Sequence, residues 1–62
     1  MKVFVNDREV HLAPGMTVRH ALIGAARIDE VDAGKKVCDQ WGNEVGLDGS
    51  LSENLRIYVK DS

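Results

Sequence analysis

Two stretches near the start of the chain alternate apolar and polar side chains with the two-residue period of a half-buried strand. Val3 and Val5 share one face of the first stretch, and Val10 and Leu12 share one face of the second. Asn6-Asp7-Arg8 lies between them and supplies the residue types of a tight turn. The pattern therefore predicts a β-hairpin over residues 2–12.

After Pro14-Gly15 the apolar spacing changes from two residues to three and four, which predicts a helix with one buried stripe. The stripe consists of Val18, Ala21, Leu22, Ala25 and Ile28. Thr17 stands at the N-cap position, but position 20 is His rather than Glu or Gln, so we expect no capping box. The period is lost after Arg27, and we expect a loop over residues 29–34.

The last third of the chain alternates again in two segments. Residues 35–39 predict a third strand, residues 40–43 a turn, and residues 44–45 a short strand that completes a hairpin. Residues 55–60 predict the final strand, with Leu55, Ile57 and Val59 on one face. The order is therefore strand, strand, helix, strand, short strand, strand.

At this chain length, that order has few compact solutions. We expect a single α+β domain over residues 1–62, with a mixed sheet of four to five strands and one helix packed across one face. The last strand should run parallel beside the first. This arrangement is the ubiquitin-like β-grasp.

Composition excludes several function classes. The 62 residues include 8 basic and 10 acidic side chains, a formal net charge of -2, so the basic excess of a dedicated nucleic-acid binder is missing. No apolar run is long enough to span a membrane. The single cysteine, Cys38, excludes an internal disulfide or a multi-thiolate metal site within this chain and fits a reducing compartment, so we expect a cytoplasmic protein.

The sequence offers no catalytic constellation: no nucleophile beside a base, no paired carboxylates on one element and no glycine-rich phosphate loop. His11 and His20 fall on different elements without a third ligand at metal-binding spacing. We therefore expect neither an enzyme nor a metal or cofactor site.

The strongest candidate site is the sheet face opposite the helix. If the valines of the first strand face inward, period two places Phe4 and Tyr58 outward on neighbouring strands, with Lys36 and Cys38 beside them and Trp41 in the next turn. Aromatic side chains are enriched among interface anchors, so these five residues are the predicted partner-binding set. The alternatives are that they are scattered surface aromatics, or that Trp41 folds over the other two.

Three runs resemble the ThiS/MoaD sulfur-carrier family over essentially the whole chain. They are Val3-Phe4-Val5-Asn6-Asp7-Arg8-Glu9-Val10, Pro14-Gly15-Met16-Thr17-Val18 and Leu51-Ser52-Glu53-Asn54-Leu55-Arg56-Ile57. The resemblance implies a β-grasp fold and, in that family, a terminal Gly-Gly that an adenylating enzyme activates. The opening also resembles plant-type [2Fe–2S] ferredoxin domains, but that cluster needs four thiolates and this chain has one.

The chain carries Asp61-Ser62 where the sulfur carriers have Gly-Gly. We therefore expect a non-catalytic protein-interaction module that has diverged from the carriers. The alternative is a sulfur carrier, or an accessory protein in thiamine- or molybdopterin-type sulfur transfer, activated at Ser62. A third reading is a free-standing relative of a domain fused to oxidoreductases. The expected partner is another protein, such as an adenylating enzyme or a metal-cofactor oxidoreductase. The chain itself is expected to be a monomer or a weak dimer through the edge strand at residues 9–12.

Overall fold

The predicted N-terminal hairpin is present in the computed structural model, which describes residues 1–60. Strands β1 (Lys2–Val5) and β2 (Arg8–His11) pair antiparallel, with Val3 opposite Val10. Asn6 and Asp7 form the two-residue turn with φ of 50° and 68°. Both angles lie in the left-handed region, as the hairpin turns that match strand twist require.

The other two strands complete a four-stranded mixed sheet in the order β2-β1-β4-β3. Strand β4 (Arg56–Lys60) lies parallel to β1, as expected, and β3 (Lys36–Asp39) pairs antiparallel with β4. The short strand expected at residues 44–45 is reduced to an isolated bridge between Cys38 and Glu44. Two backbone hydrogen bonds flank this bridge, from Asp39 N–H to Asn43 O at 2.8 Å and from Val45 N–H to Val37 O at 2.9 Å.

Helix α1 (Val18–Gly24) begins at the predicted N-cap, Thr17. The expectation of no capping box was wrong, because His20 occupies the N3 position of a capping box, where Glu or Gln is usual. Its Nδ1 accepts a hydrogen bond from the Thr17 backbone N–H at 3.0 Å. The next two N–H groups, of Val18 and Arg19, donate to the carbonyls of Gly49 and Leu47. The segment before β4 is thereby tied to the start of α1.

Helix α1 ends in a Schellman motif that has alanine where glycine is usual. Ala26 has φ of 59°, and its N–H donates to Ile23 O at 3.0 Å. The N–H of Arg27 donates to Leu22 O at 2.8 Å. The chain therefore turns sharply at Ala26 although an L-residue is strained there.

A second helix, α2 (Ile28–Asp32), replaces the loop that we expected after Arg27, so residues 1–60 contain two helices rather than the expected one. The Glu30 carboxylate accepts hydrogen bonds from Lys35 at 2.9 Å and from Arg27 at 2.8 Å. These two hydrogen bonds lower the pKa of Glu30, and the bond from Lys35 contributes more than the bond from Arg27. A helix of five residues is too short to show a helical period in the sequence.

The core lies between the sheet and α1, and the partly buried residues of α2 and the 45–55 segment pack against it. It consists of Val3, Val5, Val10, Val18, Ala21, Leu22, Ala25, Val37 and Ile57. At Gly24 an added Cβ would lie 2.9 Å from Val10 Cγ1, so α1 approaches β2 at a distance that only glycine allows. Neither helix among residues 1–60 is long and apolar enough to cross a membrane.

Candidate partner-binding face

The side chains on the outer side of the sheet form what we call the open face. Alternation defines it, because the core valines and Ile57 point to the helices and their strand neighbours point the other way. Its members are Lys2, Phe4, Glu9, His11, Lys36, Cys38, Arg56, Tyr58 and Lys60. Four of the five residues in the predicted partner-binding set lie on this face, and Trp41 lies in the turn that follows β3.

Phe4 is half-buried beneath cations rather than freely exposed. Arg56 faces it on the neighbouring parallel strand, and the guanidinium carbon lies 4.4 Å from the ring centroid. The Lys2 ammonium nitrogen lies 5.7 Å from the same centroid. Arg56 is also within 3.5 Å of the Asp7 carboxylate in the hairpin turn. Cation–π attraction thus holds two basic side chains against the Phe4 ring.

Tyr58 lies one step further along β4 and faces Cys38 across the antiparallel pair. Phe4 and Tyr58 are therefore staggered on adjacent strands and do not form a directly opposed pair. Tyr58 and the free thiol of Cys38 are both half-buried.

The next row of the open face places Lys36 directly opposite Lys60. Both side chains are exposed, and no ion pair joins either of them to a carboxylate within residues 1–60. Like charges that face each other across strands destabilise a sheet. This row is therefore an unfavourable feature of the isolated fold.

Trp41 is positioned by Asp39, a residue that the sequence reasoning did not select. The Asp39 Oδ1 atom accepts hydrogen bonds from the backbone N–H groups of Trp41 and Asn43, each at 2.9 Å. Gly42 completes the turn with φ of 86°. The indole remains 71% exposed, so it does not fold over Phe4 and Tyr58. An aspartate at the start of a Gly-Asn turn is the signal that could have identified this support.

The sequence reasoning also missed the cations Arg56 and Lys60. The alternation that directs Tyr58 outward directs both of them outward as well, so the signal was present in β4 itself.

The two histidines and Ser62 are the remaining candidates from the sequence, and of the two histidines only His11 lies on the open face. His11 Nε2 lies 2.6 Å from Glu9 Oε2, and His20 caps α1. Among residues 1–60, no three His, Cys, Asp or Glu side chains are grouped closely enough to hold a metal ion, and no pocket is found. Ser62, the activation site of the carrier alternative, lies outside the described residues.

The structure thus defines a small α+β domain whose sheet is covered on one face and open on the other. Comparisons with protein-family models, with curated proteins and with solved structures find no match for this chain.

Proposed function

We propose that this chain is a non-catalytic protein-interaction module whose partner binds the open face. The observation that supports it is the clustering of Phe4, Tyr58 and basic side chains on the one sheet face that the helices leave uncovered. Lys36 and Cys38 flank Tyr58, and Trp41 stands at the border of the face. Aromatic residues and arginine are the side chains most enriched in interface cores.

We further propose that the fold is a ubiquitin-like β-grasp related to the ThiS/MoaD group. The parallel pairing of β1 with β4, the strand order and the position of α1 across the sheet support this assignment. The proposed compartment is the cytoplasm, where the free thiol of Cys38 stays reduced.

The dimensions of the face suit a short segment better than a broad globular surface. Four strands at spacings of about 4.8 Å give about 14 Å between the outer strands, and strands of four or five residues are about 13–17 Å long. This area is well below that of a standard interface, which buries about 800 Å² on each partner. We therefore expect the partner to contact the open face through a single strand, a helical turn or an extended loop.

The test is co-purification from the native host with a tagged copy of the chain. The double variant Phe4→Ala/Tyr58→Ala should lose a partner that co-purifies with the parent chain. Ile23→Ala provides the control, because Ile23 is an exposed apolar side chain, 54% accessible, that lies on α1 and away from the open face. Partners are quantified by mass spectrometry, and far-UV circular dichroism checks the fold of each variant.

A second pair, Tyr58→Ala with Trp41→Ala, leaves the cation stack on Phe4 intact and guards against loss of binding through unfolding. If both folded pairs keep every partner of the parent chain, the proposal is wrong. The mass of the C-terminal peptide is read in the same experiment. A shift corresponding to adenylation or to an oxygen-to-sulfur exchange would show a carrier in place of an interaction module.

A further inference from the structure

Positive charge is concentrated on the open face although the chain as a whole is acidic. Half of the 8 basic residues lie on it, namely Lys2, Lys36, Arg56 and Lys60, whereas of the acidic residues in the described range 1–60 only Glu9 lies there. Glu9 is itself paired with His11 at 2.6 Å. The rest of the chain carries most of the carboxylates, including those of α2.

The four cations of the face differ in their surroundings. Lys2 and Arg56 are held over the Phe4 ring, and Arg56 also reaches Asp7. Lys36 and Lys60 face each other without a counter-charge among residues 1–60. They lie next to the half-buried Tyr58, so apolar contact area and unneutralised charge adjoin on the same two strands.

We propose that the occupant of the open face is a short acidic segment of another protein, with carboxylates that bind between Lys36 and Lys60. This inference rests on the proposed function and specifies the chemistry of the partner. A carboxylate placed between two facing ammonium groups removes their mutual repulsion and gains attraction from both. Charge complementarity of this kind sets orientation and partner choice.

The first experiment uses a hexaglutamate peptide as the probe and the isotope-labelled full chain as the receptor. Amide chemical shifts are followed by NMR at low salt, and the expected shifts map to β3 and β4 around Lys36, Tyr58 and Lys60. Binding should weaken strongly between about 0.02 and 0.5 M NaCl, because the Debye length falls below the spacing of exposed charges.

Lys36→Glu and Arg19→Glu make a matched pair of variants. Each changes the net charge equally, but Arg19 is exposed on α1, on the other side of the sheet. Lys36→Glu should weaken hexaglutamate binding about fivefold or more, whereas Arg19→Glu should change it less than about twofold. Equal weakening by the two variants would overturn the proposal, because it would show attraction to net charge alone.

Two other outcomes would also overturn it. One is the absence of any shift on β3 and β4 with hexaglutamate at low salt. The other is tighter binding of an oligothymidylate at the same residues, which would make the face a phosphate-binding surface. The proposed function would fail separately, through retention of the host partner by the folded variants of Phe4 and Tyr58. If those variants lose the host partner but hexaglutamate causes no chemical-shift change, the proposed interaction module stands. Only the proposal that its ligand is acidic is then refuted.

Discussion

Replacing Lys36 by glutamate should make the free protein more stable. Lys36 faces Lys60 on the open face, and both side chains are exposed without an ion-pair partner in the described part of the chain. The substitution removes a like-charge pair and creates an opposite-charge pair at one position of the register. Most substitutions destabilise, so a gain at a solvent-exposed site is an informative result.

The magnitude follows from Coulomb's law at a separation typical of facing side chains on neighbouring strands. Two unit charges about 7 Å apart in water interact by about 0.6 kcal/mol, and cross-strand pairs contribute roughly 0.2–1 kcal/mol. Removing the repulsion and gaining an attraction gives about 0.5–1 kcal/mol after the loss of side-chain freedom. For a domain of this size that corresponds to a rise in Tm of about 2–8 °C.

A double-mutant cycle isolates this effect from other consequences of the substitution. Lys36→Glu and Lys60→Glu should each stabilise, and the double variant, with two facing glutamates, should lose the gain. Urea unfolding followed by circular dichroism measures each free energy at low salt and in about 1 M NaCl, where the Debye length is about 3 Å. Single variants that give no stabilisation at low salt, or a gain that persists in high salt, would refute the electrostatic reasoning.

Three further predictions concern the scaffold. Ala26→Gly should raise the free energy of unfolding by about 0.5–1 kcal/mol, because Ala26 has φ of 59° and glycine is not strained there. The control Ala33→Gly should lower the free energy of unfolding, because Ala33 has φ of -83°. Equal effects of the two substitutions in urea titrations would contradict this prediction. Asn6→Gly should cost about 1 kcal/mol, because the Asn6 side-chain oxygen accepts from a β4 N–H at 2.8 Å, whereas Asp7→Gly in the same turn should cost less. Glu30→Gln should destabilise at neutral pH. Because the pKa of Glu30 is lowered, that difference is present above the ordinary glutamate pKa and should vanish as the pH falls through the lowered one; a pH-independent difference in Tm would count against it.

The sequence predicts well those parts of the fold that depend on local alternation. The valines of β1 and the alternating residues of β4 share one face each because period two is a property of the strand itself. The second helix was missed because its five residues are too few to show a helical period, and because Glu30 pairs with Arg27 and Lys35, which both lie outside the helix. The cap from His20 was missed because its imidazole nitrogen replaces the usual carboxylate or amide oxygen.

The same distinction between local alternation and tertiary structure applies to the candidate site. Outward placement of Phe4 and Tyr58 follows from alternation alone. Which residues stand opposite them follows from the register between strands, and register depends on tertiary structure. The stack of Arg56 on Phe4 and the facing pair of Lys36 and Lys60 exist only in the observed register of β4 with its two neighbours.

The facing lysines connect stability to the proposed ligand, and the connection gives a last prediction. Ligand that binds only the folded state adds RT ln(1 + [L]/Kd), which is about 1.4 kcal/mol when the ligand is at ten times its Kd. Free Lys36→Glu should unfold at a higher temperature than the parent chain. With hexaglutamate present, the parent should gain stability while Lys36→Glu gains little, so the order of the two melting temperatures should reverse. If Lys36→Glu remains the more stable protein at every peptide concentration, the lysine pair is an uncompensated cost of the fold. In that case the acidic segment is not its ligand.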